Sequence, residues 1–166
     1  MEQALSDFRC RGFSMLEIMV ALAIVAIVAT LSLPSMFTSI VRDQIVQAMP
    51  LASIAKKPVE AAWVAVQAFP ADNAAAGLPA PEKIVNNYIS AVSVVNGAIQ
   101  VTFGNSAHPD IKGKVLTLRP AVVEDAPIVP VAWVCGYAAV PEGMTAKGDN
   151  LTTVPGNVLP LNCRAP

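Results

Sequence analysis

Between Ile18 and Val41 the chain runs for 24 residues without a charge, IMVALAIVAIVATLSLPSMFTSIV. Wound as an α-helix at 1.5 Å per residue, that run is about 36 Å long, against a bilayer hydrocarbon core of about 30 Å. It is apolar on every side, with no stripe setting a core face against a solvent face, so lipid suits it better than a globular core. The composition follows from this one segment. Of 166 residues 54% are hydrophobic and 14% charged, and the excess over an ordinary soluble domain is concentrated here, leaving enough chain for one domain beside it.

Charge and cysteine placement orient the segment. Arg9 and Arg11 precede it, whereas Arg42 beyond it is offset by Asp43, so the positive-inside bias leaves the N-terminus cytoplasmic and places the bulk in an oxidising compartment. Cys10 lies before the run and Cys135 and Cys163 far after it. The two on the far side form an even pair, which suggests a disulfide. The net charge of −1 gives no overall attraction to nucleic acid or anionic lipid.

An ordinary secretory signal is removed after its apolar stretch, at small residues spaced as in Ala-x-Ala. Here the informative residues come before it: Arg11-Gly12-Phe13-Ser14-Met15-Leu16-Glu17 places a basic residue, a glycine, an aromatic and a single acid directly ahead of the run. This order resembles the type IV prepilin signal. The resemblance implies that a membrane peptidase cuts between Gly12 and Phe13 and methylates the new Phe13 N-terminus. A residue without a side chain at the cut lets the backbone enter a narrow proteolytic site in extended form.

Glu17 needs its own explanation, because an ionised acid within a bilayer costs on the order of 2.5–3.5 kcal/mol. Two accounts stand: solvation near the headgroups, or, as the resemblance implies, pairing with the free amine of Phe13 on a neighbouring subunit during assembly. Pro34 removes a backbone hydrogen bond from the run, and either ends a membrane helix or, by the same resemblance, marks a bend within the filament. Ala23, Ala26 and Ala29 recur at helical spacing, which permits close helix approach.

Beyond Arg42 the pattern turns amphipathic, with Val41, Ile45 and Met49 on one face and Arg42, Asp43, Gln44 and Gln47 elsewhere, so the helix is expected to continue outward. Val59, Trp63 and Val66 give a second helical stripe, while Pro50 and Pro58 leave open whether the helix is continuous. Residues 70–81, PADNAAAGLPAP, read as a loop. Strand alternation follows over 88–94 and 98–103 around an Asn96-Gly97 hairpin turn, then over 115–119 and 131–135. Four short strands with turns between them predict an antiparallel sheet covered by the preceding helix, an α+β fold.

The same stretch is similar to the sheet of major pilins, over Asn96–Gly104 and Ile111–Leu118, and Trp133-Val134-Cys135-Gly136 with Leu159-Pro160-Leu161-Asn162-Cys163-Arg164 resembles the boundaries of their C-terminal disulfide loop. A Cys135–Cys163 bond would enclose 27 residues rich in Pro, Gly and Asn, with little apolar material to fix them. By chain-entropy arithmetic it would contribute about 3–4 kcal/mol.

Other chemistry has little footing. His108 is the sole histidine, too few for a multi-histidine metal site, and a Cys-His nucleophile would need Cys135 free. There is no C-x-x-C, nucleophile elbow or phosphate loop. Glu124 and Asp125 are adjacent and so point apart in extended chain. Asn150-Leu151-Thr152 reads as a loop although it matches a glycosylation sequon. Lys112, Lys114, Lys147 and Arg164 offer a basic patch for DNA capture that nothing else supports.

The expectation is therefore a non-enzymatic type IV pilus subunit without cofactor: leader 1–12, membrane and filament-core helix 13–41, amphipathic continuation 42–69, and sheet domain 70–166 with the disulfide loop 135–163. The resemblance implies other pilin subunits, the prepilin peptidase and an inner-membrane assembly platform as partners. It implies an inner-membrane location with a periplasmic body before assembly and an extracellular pilus after it. Adhesion, twitching motility and DNA uptake are the family's tasks. The competing readings are a pseudopilin of a type II secretion system, which usually lacks the cysteine loop, and a membrane-anchored periplasmic domain that is not cut before Phe13.

Overall fold

The computed structural model describes residues 12–166, and of residues 32–37 the backbone alone. Arg9, Cys10, Arg11 and nearly all of the expected leader lie outside the described residues. The chain divides into two compact units, residues 1–37 and 38–166. One helix, α1 (Met15–Val66), contributes to both.

In the first unit every large apolar side chain described from Phe13 to Leu31 is exposed, with Phe13 at 75% and Leu31 at 75%. Among the described residues no helix is long and apolar enough to cross a membrane. Position 34 lies within α1; the Pro34 side chain is outside the described set.

In the second unit α1 continues through Pro50 and Pro58 without a break. An interior proline removes one i→i−4 bond and commonly costs about 3 kcal/mol. Here the carbonyls that lose their donors belong to Val46 and Ile54, four residues back, and both residues are half exposed (51% and 52%), so water can satisfy them. Meanwhile the opposite face is fully engaged. Val41, Ile45, Ala48, Ala52, Ala55 and Val59 are all at 0–1% exposure, recurring every three to four residues as one stripe. Trp63 extends that stripe, whereas Val66, the last residue of the helix, is exposed. The alanines at its centre let the helix axis lie close against the strands.

The sheet opposite is antiparallel in the order β1-β2-β3-β4, with β1 Ile89–Val95, β2 Ala98–Phe103, β3 Val115–Val122 and β4 Ala132–Cys135. Its helix-facing side chains include Val92, Val94, Ile99, Val101, Phe103, Leu116 and Leu118, in line with the register pairs Val94↔Ile99, Val101↔Leu116 and Ile99↔Leu118. The β1–β2 turn puts Asn96 and Gly97 at φ 47° and 83°, the left-handed pair that a tight hairpin needs. A side chain at Gly97 would meet the Phe69 ring at 2.7 Å, so glycine is required there twice over.

Three features depart from simple alternation. Strand β1 carries a bulge between Ile89 and Ala91, which brings Ile89 onto the same buried face as Val92 and Val94. Strand β3 runs three residues beyond the expected Arg119, through Pro120. The Pro120 carbonyl accepts from Lys147 N–H at 2.8 Å. Because a strand residue's N and O project to one edge, its missing N–H also faces that edge, where β2 has ended and a two-residue strand β5, Thr145–Ala146, pairs with Ala121 and Val122. The proline therefore breaks no ladder bond.

The expectation that the 135–163 loop has little apolar material to fix it is corrected: Val154, Val158 and Leu159 are at 0%, 4% and 0% exposure and belong to the core. An irregular segment has no period by which such residues announce themselves.

The far half of edge strand β1 is capped by one side chain. Asn73, in the loop read as mere connection, accepts from Val94 N–H at 2.6 Å and donates to Val92 and Pro79 carbonyls at 3.0 and 2.9 Å. Asn73→Ala leaves these groups unsatisfied and is expected to cost about 1–3 kcal/mol. The checks are thermal melting and faster amide exchange at Val94.

Candidate functional site

The residues singled out around the expected cut come together. Gly12, Phe13, Ser14 and Glu17 line one open cavity of about 420 Å³. Helix α1 begins at Met15, with Ile18 N–H donating to the Ser14 carbonyl at 3.1 Å, so Ser14 holds the capping position and Glu17 the third helical one. Ser-x-x-Glu is the sequence order of a capping box, a signal the motif reading passed over. An acid in the first turn meets the positive end of the helix dipole, which gives Glu17 a favourable place within its own chain. Among the described residues, a side chain built on Gly12 would meet nothing within 4 Å.

Cys135 and Cys163 are bonded, with Cα atoms 4.6 Å apart and both residues buried. The loop between them seals the edge of β3 that β4 leaves open. Thr152 and Thr153 hydroxyls accept from Thr117 and Val115 N–H at 3.1 and 2.9 Å, and Gly136 N–H donates to the Thr117 carbonyl at 2.9 Å. Side-chain oxygens here stand where a neighbouring strand's carbonyls would be. Arg164 then clamps the end of the loop, donating to Leu159 and Asn157 carbonyls at 2.8 and 2.9 Å, and Arg42 of α1 reaches the same Asn157 carbonyl at 3.3 Å.

Three members of the basic patch have partners within the body. Arg164 is turned onto its own loop, Lys112 donates to the Asn105 carbonyl at 3.0 Å, and Lys147 pairs with Glu124 at 2.7 Å. The Lys147 hydrogen bond, and its charge, hold the Glu124 carboxyl below the usual carboxylate range. With Cys135 in a disulfide, the Cys-His reading of His108 falls. The His108 backbone N–H instead donates to the Gln44 amide oxygen at 2.8 Å, fixing its turn to α1. Asn150 donates to the Gly136 carbonyl and accepts from the Thr152 hydroxyl, so the sequon is a folded loop corner.

A polar cluster the sequence reading missed joins α1 to β4. Trp133 donates its indole N–H to Glu60 at 2.6 Å, and the Lys56 ammonium lies over the Trp133 ring, 5.4 Å from its centroid. Burial lowers the Lys56 pKa, with Glu60 opposing in part. The unfolded chain then binds the extra proton between the lowered value and 10.5, so this group's contribution to stability rises with pH across that window and is constant below it. The expected observation is a Lys56 side-chain NMR resonance titrating at lower pH than those of the other lysines.

Comparison with known proteins bears on both units. Residues 7–33 match the prokaryotic N-terminal methylation motif and residues 41–164 match the pilin (bacterial filament) family. The chain is 32% identical to the type IV major pilin protein PilE of Neisseria gonorrhoeae over 86% of this chain and 81% of that protein. It is 33% identical to a fimbrial protein of Neisseria meningitidis serogroup A over 85% and 81%. Against the fimbrial protein EcpC of Eikenella corrodens it is 29% identical over 86% and 93%. The fold, the disulfide and the family match over most of the chain agree: this protein belongs to the pilin family, the structural subunits of bacterial filaments.

Proposed function

We propose that this chain is the building subunit of a type IV pilus, made as a precursor whose leader 1–12 is cut off between Gly12 and Phe13 and whose new Phe13 N-terminus is methylated. Residues 13–41 then hold the subunit in the inner membrane and afterwards pack in the filament core, 42–69 carry the helix into the body, and 70–166 form the surface. Glu17 pairs with the Phe13 amine of a neighbouring subunit and sets its register. Pro34 is where the helix yields. A membrane peptidase and an assembly platform are the partners of the early steps, and adhesion or motility is the task of the fibre.

One observation carries this reading: a run of large apolar side chains from Phe13 to Leu31 stands exposed, at the place where the methylation motif matches. Uncovered apolar surface on this scale needs lipid or further copies to bury it. The buried Cys135–Cys163 loop favours a pilus over a secretion pseudopilin. Mass spectrometry of the non-reduced protein from membranes and sheared fibres is the test. A methylated Phe13 N-terminus with a deficit of two hydrogens is expected; an intact Met1, or a free thiol at Cys135, would sink the proposal.

A further inference from the structure

Asn96-Gly97 is the sole Asn-Gly pair of the chain, and such a pair has a chemistry of its own besides shaping a hairpin. The backbone nitrogen after an asparagine can attack the side-chain carboxamide carbon, and glycine in that place leaves the approach unhindered because it has no side chain. Here both peptides flanking the Asn96 Cα are tied down. Asn96 N–H donates to the Ala71 carbonyl at 3.1 Å and Gly97 N–H to the Pro70 carbonyl at 2.9 Å, although Asn96 itself is exposed. The segment that supplies these carbonyls is anchored in turn. Pro70 is buried, and Phe69 stacks on Trp63, ring centroids 5.1 Å apart, in the space where a Gly97 side chain would be. Asn73 and Asn105 spend their carboxamides on backbone carbonyls; among the described residues no such bond holds that of Asn96.

We propose that Asn96 is a site of spontaneous deamidation and that the Pro70–Ala71 segment gates it. In this reaction the Gly97 nitrogen gives up its proton and bonds to Asn96 Cγ, and the carboxamide nitrogen leaves as ammonia, so a succinimide ring closes. Water then opens the ring at either of its carbonyls, leaving aspartate or isoaspartate. The Pro70 carbonyl opposes the first step, because an acceptor bonded to the N–H favours the protonated nitrogen. It opposes the second as well, since the Gly97 peptide cannot turn towards the carboxamide while that bond stands. Ring closure therefore waits until the segment lifts. Each of the two bonds is worth roughly two- to tenfold in an equilibrium, so together they slow the reaction roughly ten- to hundredfold. The product does not fit back. Isoaspartate adds a main-chain carbon to a two-residue turn whose length sets the register of β1 on β2, so a modified hairpin marks a body in which the segment has come away.

The test incubates the full-length chain, folded in detergent micelles and in parallel unfolded in urea, at one pH and temperature. Mass spectrometry of the peptide containing Asn96 follows the exchange of NH2 for OH, and fragmentation identifies isoaspartate. Unfolded chain is expected to react at Asn96 ahead of its other asparagines, and folded chain roughly ten- to hundredfold more slowly. Phe69→Ala, which removes the ring beneath Gly97, is expected to speed the folded reaction and leave the unfolded one unchanged. Phe69→Leu, which loses only the stack on Trp63, serves if amide exchange at Val101 shows that the first variant has not folded. Equal rates in folded and unfolded chain would overturn the gate. So would a folded variant whose Gly97 amide exchanges faster while Asn96 reacts no faster. Unfolded chain reacting no faster at Asn96 than at Asn150 would overturn the site itself.

Discussion

Cys135→Ser is expected to lower the stability of the body, residues 38–166, by about 3–4 kcal/mol. The bond closes a loop of 27 residues, and loop-closure entropy returned to the unfolded chain gives a loss of this size. Cys163→Ser should lose as much, and the double variant little more than either, because one cross-link is removed in all three. The loss will not be spread evenly. Val154, Val158 and Leu159 remain apolar and still favour the core, but Thr152 and Thr153 are tethered to β3 by few bonds, two through their hydroxyls and one from the Thr153 N–H to the Val115 carbonyl. The loop is therefore expected to open before the sheet does. Amide exchange separates the two events: Val115 and Thr117 lose protection early, whereas Val101, between β1 and β3, keeps it. Uniform loss of protection across all strands would show that the loop is an integral part of the sheet's cooperative unit.

Gly12→Val is expected to abolish filaments altogether and leave an uncut precursor that still carries its leader. Among the described residues the substitution meets no neighbour, so the fold and melting of the body should be unaffected. The loss arises where the backbone must enter the peptidase. Glu17→Leu is the contrasting variant, cut normally but failing to assemble. Immunoblots of cell membranes read the first and electron microscopy of sheared fractions the second. Mature filaments from Gly12→Val would remove the proposed cut site.

Much of this architecture was legible in the sequence because its signals are local. The Asn96-Gly97 pair dictates a hairpin, the strands on either side alternate, and Cys135 and Cys163 stand on one side of the uncharged run. What stayed hidden depends on partners distant in sequence. Ala48, Ala52 and Ala55 carry weak hydrophobic signals, yet they form the middle of the buried stripe because close helix–sheet approach selects small side chains. The bulge at Ile89 moves that residue to the other face without altering its identity. Pro120 reads as a strand breaker until β5 is seen to take over its edge. At the candidate site, the grouping of Gly12, Phe13 and Glu17 followed from their spacing. The Glu60–Trp133–Lys56 cluster spans seventy-three residues between its hydrogen-bonded members, and no local pattern announces it.

The Asn73 plug bears on how a fibre of such subunits comes apart. Copies packed at very high local concentration are in the situation where an open strand edge templates growing backbone ladders, which are close to permanent once formed. A single amide that takes up the Val94 N–H and the Val92 carbonyl interrupts the row of groups with which a neighbour's strand would pair at that edge. In a fibre of the proposed kind, bodies whose strand edges are interrupted in this way would come apart as folded subunits and not as fused sheets.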